Sequence, residues 1–177
     1  MPHLKALNSD EVSQDVQNIF AEIEQGFGAV PNLFKTYAHY PPLLRANWEK
    51  MKATMETGQL SGKLKQTIAL LVSQDNSTEY CIAAHSQILL DMGLSETELQ
   101  DIRKGKLEKV GFSDKEIQLV ELMRQVNRDP NHIPNTEFEA VKQAGVSDAE
   151  LVEAYGVMET FVSFNKFLDS LEVEIEM

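Results

Sequence analysis

One short pattern recurs three times and constrains the fold more than any other feature: Gly93-Leu94-Ser95-Glu96-Thr97-Glu98, Gly111-Phe112-Ser113-Asp114-Lys115-Glu116 and Gly145-Val146-Ser147-Asp148-Ala149-Glu150. In each copy glycine supplies a left-handed residue, an apolar residue packs as a staple, and Ser with Glu three on makes a capping box. These are three helix starts. Their unequal spacing excludes a solenoid, whose repeats must stack regularly, and fits a duplicated helical hairpin.

The rest of the chain keeps helical spacing. Val12, Val16, Ile19, Phe20, Ile23 and Phe27 follow a capping pair at Asn8 and Glu11, and Gly26 and Gly28 end that run. Pro31 introduces a short helix bearing Leu33, Phe34 and Tyr37; Pro41 and Pro42 open one with the stripe Leu44, Trp48, Met51 and Met55, stopped by Gly58. Ser61 caps a helix carrying Leu64, Ile68, Ala69, Leu70, Leu71 and Val72, which must be buried on most sides. Asp129 to Asn135 is the clearest loop, Thr136 with Glu139 caps a short helix, and Leu151, Tyr155, Met158, Val162, Asn165 and Leu168 form the stripe of a long one. Asn165 is the odd member, either a polar tie between helices or part of a site. Only Glu172 to Met177 alternates like a strand, and a lone strand has no partner. The expected fold class is all-α, one domain over residues 1–177 with two related helical-hairpin halves, its ends (1–8 and 172–177) frayed or in subunit contacts.

Charge narrows the function classes. With 28 acidic against 16 basic residues the formal charge is -12, which repels nucleic acid and anionic membrane surfaces. The longest aliphatic run, Ile68 to Val72, is far short of the roughly 18 residues of a membrane span. The amino terminus lacks the apolar stretch of a secretory signal, and a single cysteine fits a reducing compartment, so a cytoplasmic location is expected.

That cysteine lies in Asn76 to Gln87, where Cys81 is followed four residues on by His85. On a helix the two occupy one face, with Tyr80, Ala84, Ile88 and Leu89 around them, and Asn76 or Ser77 is placed to cap. A helix amino terminus and an imidazole both favour a thiolate, so Cys81 as nucleophile and His85 as base form a minimal redox or nucleophilic pair. The same spacing also suits a small core cysteine beside a hydrogen-bonded buried histidine. Zinc is disfavoured, because further ligands at suitable spacing are missing. His3, His39 and His132 are read as structural or solvent-facing.

The stretch Thr78-Glu79-Tyr80-Cys81-Ile82-Ala83-Ala84-His85 resembles the Cys-x-x-Cys-x-x-x-His signature of AhpD-like alkylhydroperoxidases in the carboxymuconolactone decarboxylase superfamily. Gly28 to Phe34, Gln66 to Ser73, Gly93-Leu94-Ser95 and Phe164 to Phe167 are similar to the family's uncharacterised peroxidase-related branch. The resemblance implies a helical subunit assembled into a homo-oligomer (dimer, trimer or hexamer), no cofactor or metal, and a small-molecule peroxide with an external thiol reductant as partners. It places Cys81 at the attacking thiol and His85 at the relay histidine. Thr78 falls at the resolving-cysteine position and Gln66 at the relay-glutamate position. Without a partner thiol, a Cys81 sulfenic acid needs an external thiol, and Gln66 cannot take a proton, so any relay shortens to His85. Glu79 is a weaker substitute for the missing base. The expected activity is a one-cysteine peroxidase; a non-redox oligomeric or binding member of the fold and a superfamily lyase or decarboxylase are the alternatives.

Overall fold

A helix with apolar residues on every side must be surrounded by others, and the segment after Ser61 is organised that way. In the computed structural model, which describes residues 1–176, the described residues form nine α-helices and no strand: α1 (Gln14–Phe27), α2 (Asn32–Tyr37), α3 (Pro41–Met55), α4 (Gly62–Asp75), α5 (Glu79–Asp91), α6 (Glu96–Arg103), α7 (Asp114–Arg128), α8 (Asn135–Gln143) and α9 (Asp148–Leu171). Helix α4 is the hub and packs against α5, α6, α7 and α9. Leu64 and every residue from Thr67 to Ser73 are buried. Helix α3 also packs on α9, α1 and α2 pack on α3, and α8 packs on α7, with Trp48 of α3 and Phe164 of α9 both edge-on to Phe34 of α2 at ring separations of 5.7 and 6.1 Å.

All three Gly-x-Ser-x-x-Glu copies start helices as expected. Ser95, Ser113 and Ser147 each accept from the backbone N–H of Glu98, Glu116 and Glu150, and each glutamate reaches back to its serine's N–H. The preceding Gly93, Gly111 and Gly145 are all left-handed. Because α9 carries much of the core, Ser147→Ala should destabilise the protein by about 1 kcal/mol. Thermal unfolding should show this as a drop of about 2–4 °C, typical of chains this long.

Several boundaries differ from the sequence reading. The Asn8 and Glu11 box caps only a 3-10 turn (Ser9–Glu11); Val12 then turns extended, and Ser13 precedes the true start of α1. Pro134, not Thr136, precedes α8, its ring holding φ at -62° for entry into the first turn. Asn76 and Ser77 do not cap α5. Ser77 is left-handed at φ 61°, Asn76 spends its amide on α7 and α9, and Thr78 takes the N-cap position. On α9 the buried stripe runs Ala154, Val157, Met158, Phe161, Phe164, Asn165 and Leu168, with Leu151, Tyr155 and Val162 half-buried.

The carboxy-terminal segment is neither a strand nor loose over its described length. Val173 N–H donates to Leu168 O, and the side chain of Asn32 donates to Glu174 O at 3.1 Å. His3 N–H and Leu7 N–H likewise bond Leu171 O and Lys35 O, so both ends lie on their own chain. Met177, part of the expected strand-like tail, lies outside the described residues.

Candidate active site

Helix α5 begins at Glu79, so Cys81 sits in its first turn and His85 one turn further on. Behind the buried Thr78 at its N-cap, the inward face of α5 is Tyr80, Cys81, Ile82, His85 and Leu89; of the expected stripe Tyr80 and Leu89 are buried, while Ala84 is exposed and Ile88 half-buried. Cys81, Ala84, His85 and Ile88 all border one cavity of about 140 Å³, completed by Phe27, Pro31, Leu33, Phe34, Met51, Tyr80, Phe161, Phe164 and Glu176. Its wall is almost wholly apolar. The thiol and the imidazole supply its chemistry.

The imidazole is held on two sides. Its Nδ1 lies 2.7 Å from the side-chain oxygen of Gln66 on α4, and Phe161 of α9 meets its ring edge-on at 4.3 Å. An amide oxygen only accepts, so Nδ1 carries the proton and Nε2 keeps its lone pair. Gln66 thus stands against His85, orienting it without exchanging a proton.

The expectation of a favoured thiolate is overturned in the resting site. Burial pushes the Cys81 thiol up to about 12, and the nearby Asp169 carboxylate adds to the rise, while hydrogen bonds from Ser73 and Asn165 pull the other way. Burial also lowers His85 to about 3. The helix amino terminus is outweighed because an unpaired charge loses more solvation in this apolar wall than the dipole returns. The pair therefore rests as thiol and neutral imidazole.

Thr78, expected from resemblance at the resolving-cysteine position, is fully buried, and its hydroxyl donates to Asp169 Oδ2 at 2.6 Å. It anchors α5 to α9. Glu79 is exposed and borders a separate surface depression with Ser77, Asp169 and Glu172, so the structure does not bring it to the cavity. His39 and His132 bond Lys5 O and Asp129, and His3 faces Glu172, all on the surface.

Sequence reasoning missed two parts of the site. Ser73 and Asn165, joined by a 3.0 Å hydrogen bond, favour the charged form of the thiol, and only Asn165 had given a signal, as a polar residue on an apolar stripe. The other is the tail: Glu176 accepts from Tyr80 Oη and from Asn32 N–H, which lays the segment after α9 across the rim. Alternation of charge gave no hint of that.

Comparison with known proteins follows this geometry. Residues 41–125, from α3 through most of α7, match the model of the carboxymuconolactone decarboxylase family. Over that segment, 85 of 177 residues, the chain is similar to that family. A curated relative, the alkyl hydroperoxide reductase Rv2159c of Mycobacterium tuberculosis, is 24% identical over 95 residues, 54% of this chain but only 28% of that protein's length. Among solved structures, peroxidase-related proteins of Silicibacter sp. TM1040 and Ralstonia eutropha JMP134, the second described as an alkylhydroperoxidase AhpD core, superpose with TM-scores of 0.86. They are 19% and 20% identical, and each match covers 99% of this chain and 92% of the other. A cysteine-to-alanine variant of the debrominase Bmp8, in complex with 2,3,4-tribromopyrrole, reaches a TM-score of 0.84 at 17% identity over 98% of this chain and 91% of that one. The shared feature is the AhpD-like helical fold.

Proposed function

We propose that this AhpD-like protein is a one-cysteine, thiol-dependent peroxidase for small apolar hydroperoxides. One observation carries the reading: the single thiol and an imidazole oriented by Gln66 open together onto an apolar cavity. A cavity of about 140 Å³ is close to the roughly 150 Å³ that holds one benzene ring, which selects a short organic tail.

The sulfur of Cys81 attacks the outer peroxide oxygen as the thiol proton passes to His85 Nε2. The S–O bond forms, the O–O bond breaks, and the departing alkoxide takes the proton from the imidazole. Products are an alcohol and a Cys81 sulfenic acid. Two external thiols then restore Cys81, releasing water and a disulfide, because Thr78 offers no second sulfur. The buried imidazole, lowered to about 3, is a weak base, so its proton transfer is concerted with S–O bond formation and the proton passes straight to the leaving oxygen.

The test is consumption of tert-butyl hydroperoxide with a small thiol present. Turnover should vanish in Cys81→Ser, and the bulkier cumene hydroperoxide should react more slowly. Consumption no faster than in Cys81→Ser removes the peroxidase reading. A second reading is reductive debromination of a single ring. The aromatic wall formed by Phe27, Phe34, Phe161 and Phe164 favours it, as does the likeness in fold to the debrominase. There two external thiols would be oxidised to a disulfide as a carbon–bromine bond becomes carbon–hydrogen. Bromide release from a brominated pyrrole, again lost in Cys81→Ser, separates this outcome from the first.

A further inference from the structure

Among the described residues, one charged side chain borders the cavity that holds Cys81 and His85, and it comes from the tail. Of the lining residues Phe27, Ala84 and Glu176 are exposed and Pro31, Met51 and Ile88 half-buried, so the opening to solvent lies among these. No lysine or arginine in the wall offsets Glu176, and the buried His85 is neutral. Hydrogen bonds tie the tail to this place. Glu176 Oε1 accepts from Tyr80 Oη and from the N–H of Asn32, and two residues earlier Glu174 O accepts from Asn32 Nδ2 at 3.1 Å. Tyr80 is fixed in turn, buried on α5 and accepting from Leu33 N–H at 3.4 Å. All of these donors are neutral, so they hold the carboxylate in place without cancelling its charge.

We propose that Glu176 is a specificity-determining residue: its carboxylate, fixed at the opening, lets uncharged molecules reach Cys81 and turns away those that carry a negative charge. Inside, an anion meets an apolar wall and no cation, so it leaves water without compensation. At the opening it also meets a like charge. Two negative charges within roughly 10 Å of each other near a protein surface are disfavoured about three- to tenfold at low salt, and less as salt screens them. The approach over the tail is acidic too, for the depression on the other side of Tyr80 is bordered by Glu79, Asp169 and Glu172. As a statement about substrate the inference rests on the peroxidase reading, which it narrows to neutral alkyl hydroperoxides. A fatty-acid hydroperoxide is then disfavoured by its carboxylate as well as by its length.

The test uses no peroxide, so its failure and that of the peroxidase reading are distinguishable. Cys81 is alkylated at one pH and low salt with iodoacetamide, which is uncharged, and with iodoacetate, an anion of nearly the same size. The adduct is followed by intact mass; with one cysteine in the chain it is unambiguous, and Cys81→Ser gives the background. The readout is the ratio of the two rates divided by the same ratio for a small free thiol, so the thiolate fraction of Cys81 cancels. The parent should favour iodoacetamide at least about threefold beyond the free thiol. Glu176→Gln keeps an oxygen to accept from Tyr80 and Asn32 but removes the charge, and should cut that preference about threefold or more, a difference that shrinks in about 1 M salt. Glu139→Gln, at an exposed acid on α8, a helix with no residue in the cavity wall, changes the net charge equally and should leave the ratio at the parent's value. A parental ratio in Glu176→Gln overturns the proposal. An equal change in Glu139→Gln also overturns it, by assigning the effect to net charge alone, as does a Cys81 that takes neither reagent, since uncharged molecules then do not enter.

Discussion

Replacing His85 by alanine is expected to slow Cys81-dependent peroxide consumption by about 10²–10⁴-fold, the usual contribution of a positioned acid–base group. The thiol, pushed up to about 12 by burial, is almost entirely protonated near neutrality. Attack therefore needs the proton removed as the S–O bond forms, and His85 is the acceptor bordering the same cavity. Because His85 is lowered to about 3, its lone pair stays available at every working pH. The rate should show no acid limb from the imidazole above that value, and should climb with pH as the thiolate fraction grows. Gln66→Glu changes that shape. A carboxylate 2.7 Å from Nδ1 favours imidazolium, raising the His85 pKa and introducing an acid limb. Stopped-flow rates for parent, His85→Ala and Gln66→Glu across pH provide the check. A parental rate in His85→Ala removes the histidine from the mechanism and leaves the thiol's role intact.

How much of this was legible from sequence depends on the distance over which each feature is encoded. The three capping boxes and the apolar surround of α4 are local, and they predict the all-α class and the central helix directly. Cys81, His85 and their shared helix are local as well. Gln66 facing His85 is not: its position on the preceding helix came from resemblance, and the 2.7 Å contact depends on how α4 and α5 pack. Burial is less local still. The helix start at Thr78 argues for an acidic thiol, while the opposing effect comes from aromatic side chains of α1, α2 and α9, far away in sequence. The tail was misread for the same reason. Its alternation is real, but its partners are Asn32 and Tyr80, more than a hundred residues and almost a hundred residues earlier.

A second large effect is expected far from the thiol, at Glu153. Lys65, on the buried face of α4, is 2% exposed, and its ammonium lies 2.7 Å from Glu153 Oε1 on α9 while also donating to Thr57 O. The carboxylate in turn accepts from the N–H groups of Gln59 and Leu60, so the turn after α3 wraps around it. Gly58 permits this wrap. At φ 105° it is left-handed, and a Cβ there would sit 2.2 Å from Glu153 Oε1. Glu153→Ala would strand the Lys65 charge in the core and should cost about 3–5 kcal/mol. For a chain this size that lowers the melting temperature by about 10 °C. The double variant Lys65→Met with Glu153→Leu removes both charges and should recover most of the loss, since an apolar pair of similar volume is often neutral or better. The pH dependence has a definite sign. Burial tends to raise the Glu153 carboxyl, but Lys65 and the two N–H donors overcome this and hold it below the usual 4.5. A depressed carboxyl stabilises the fold above 4.5 and loses that contribution as pH falls through its folded value. His85, buried neutral, adds a loss that begins earlier, as pH drops below 6.5 toward about 3. Acid unfolding of the parent should therefore begin with the histidine and steepen as Glu153 and the other depressed carboxylates protonate, and the double variant should lose stability less steeply. A Glu153→Ala protein melting within about 2 °C of the parent would show that Lys65 finds water or another partner, and that the wrapped turn is not what holds α3 against α9.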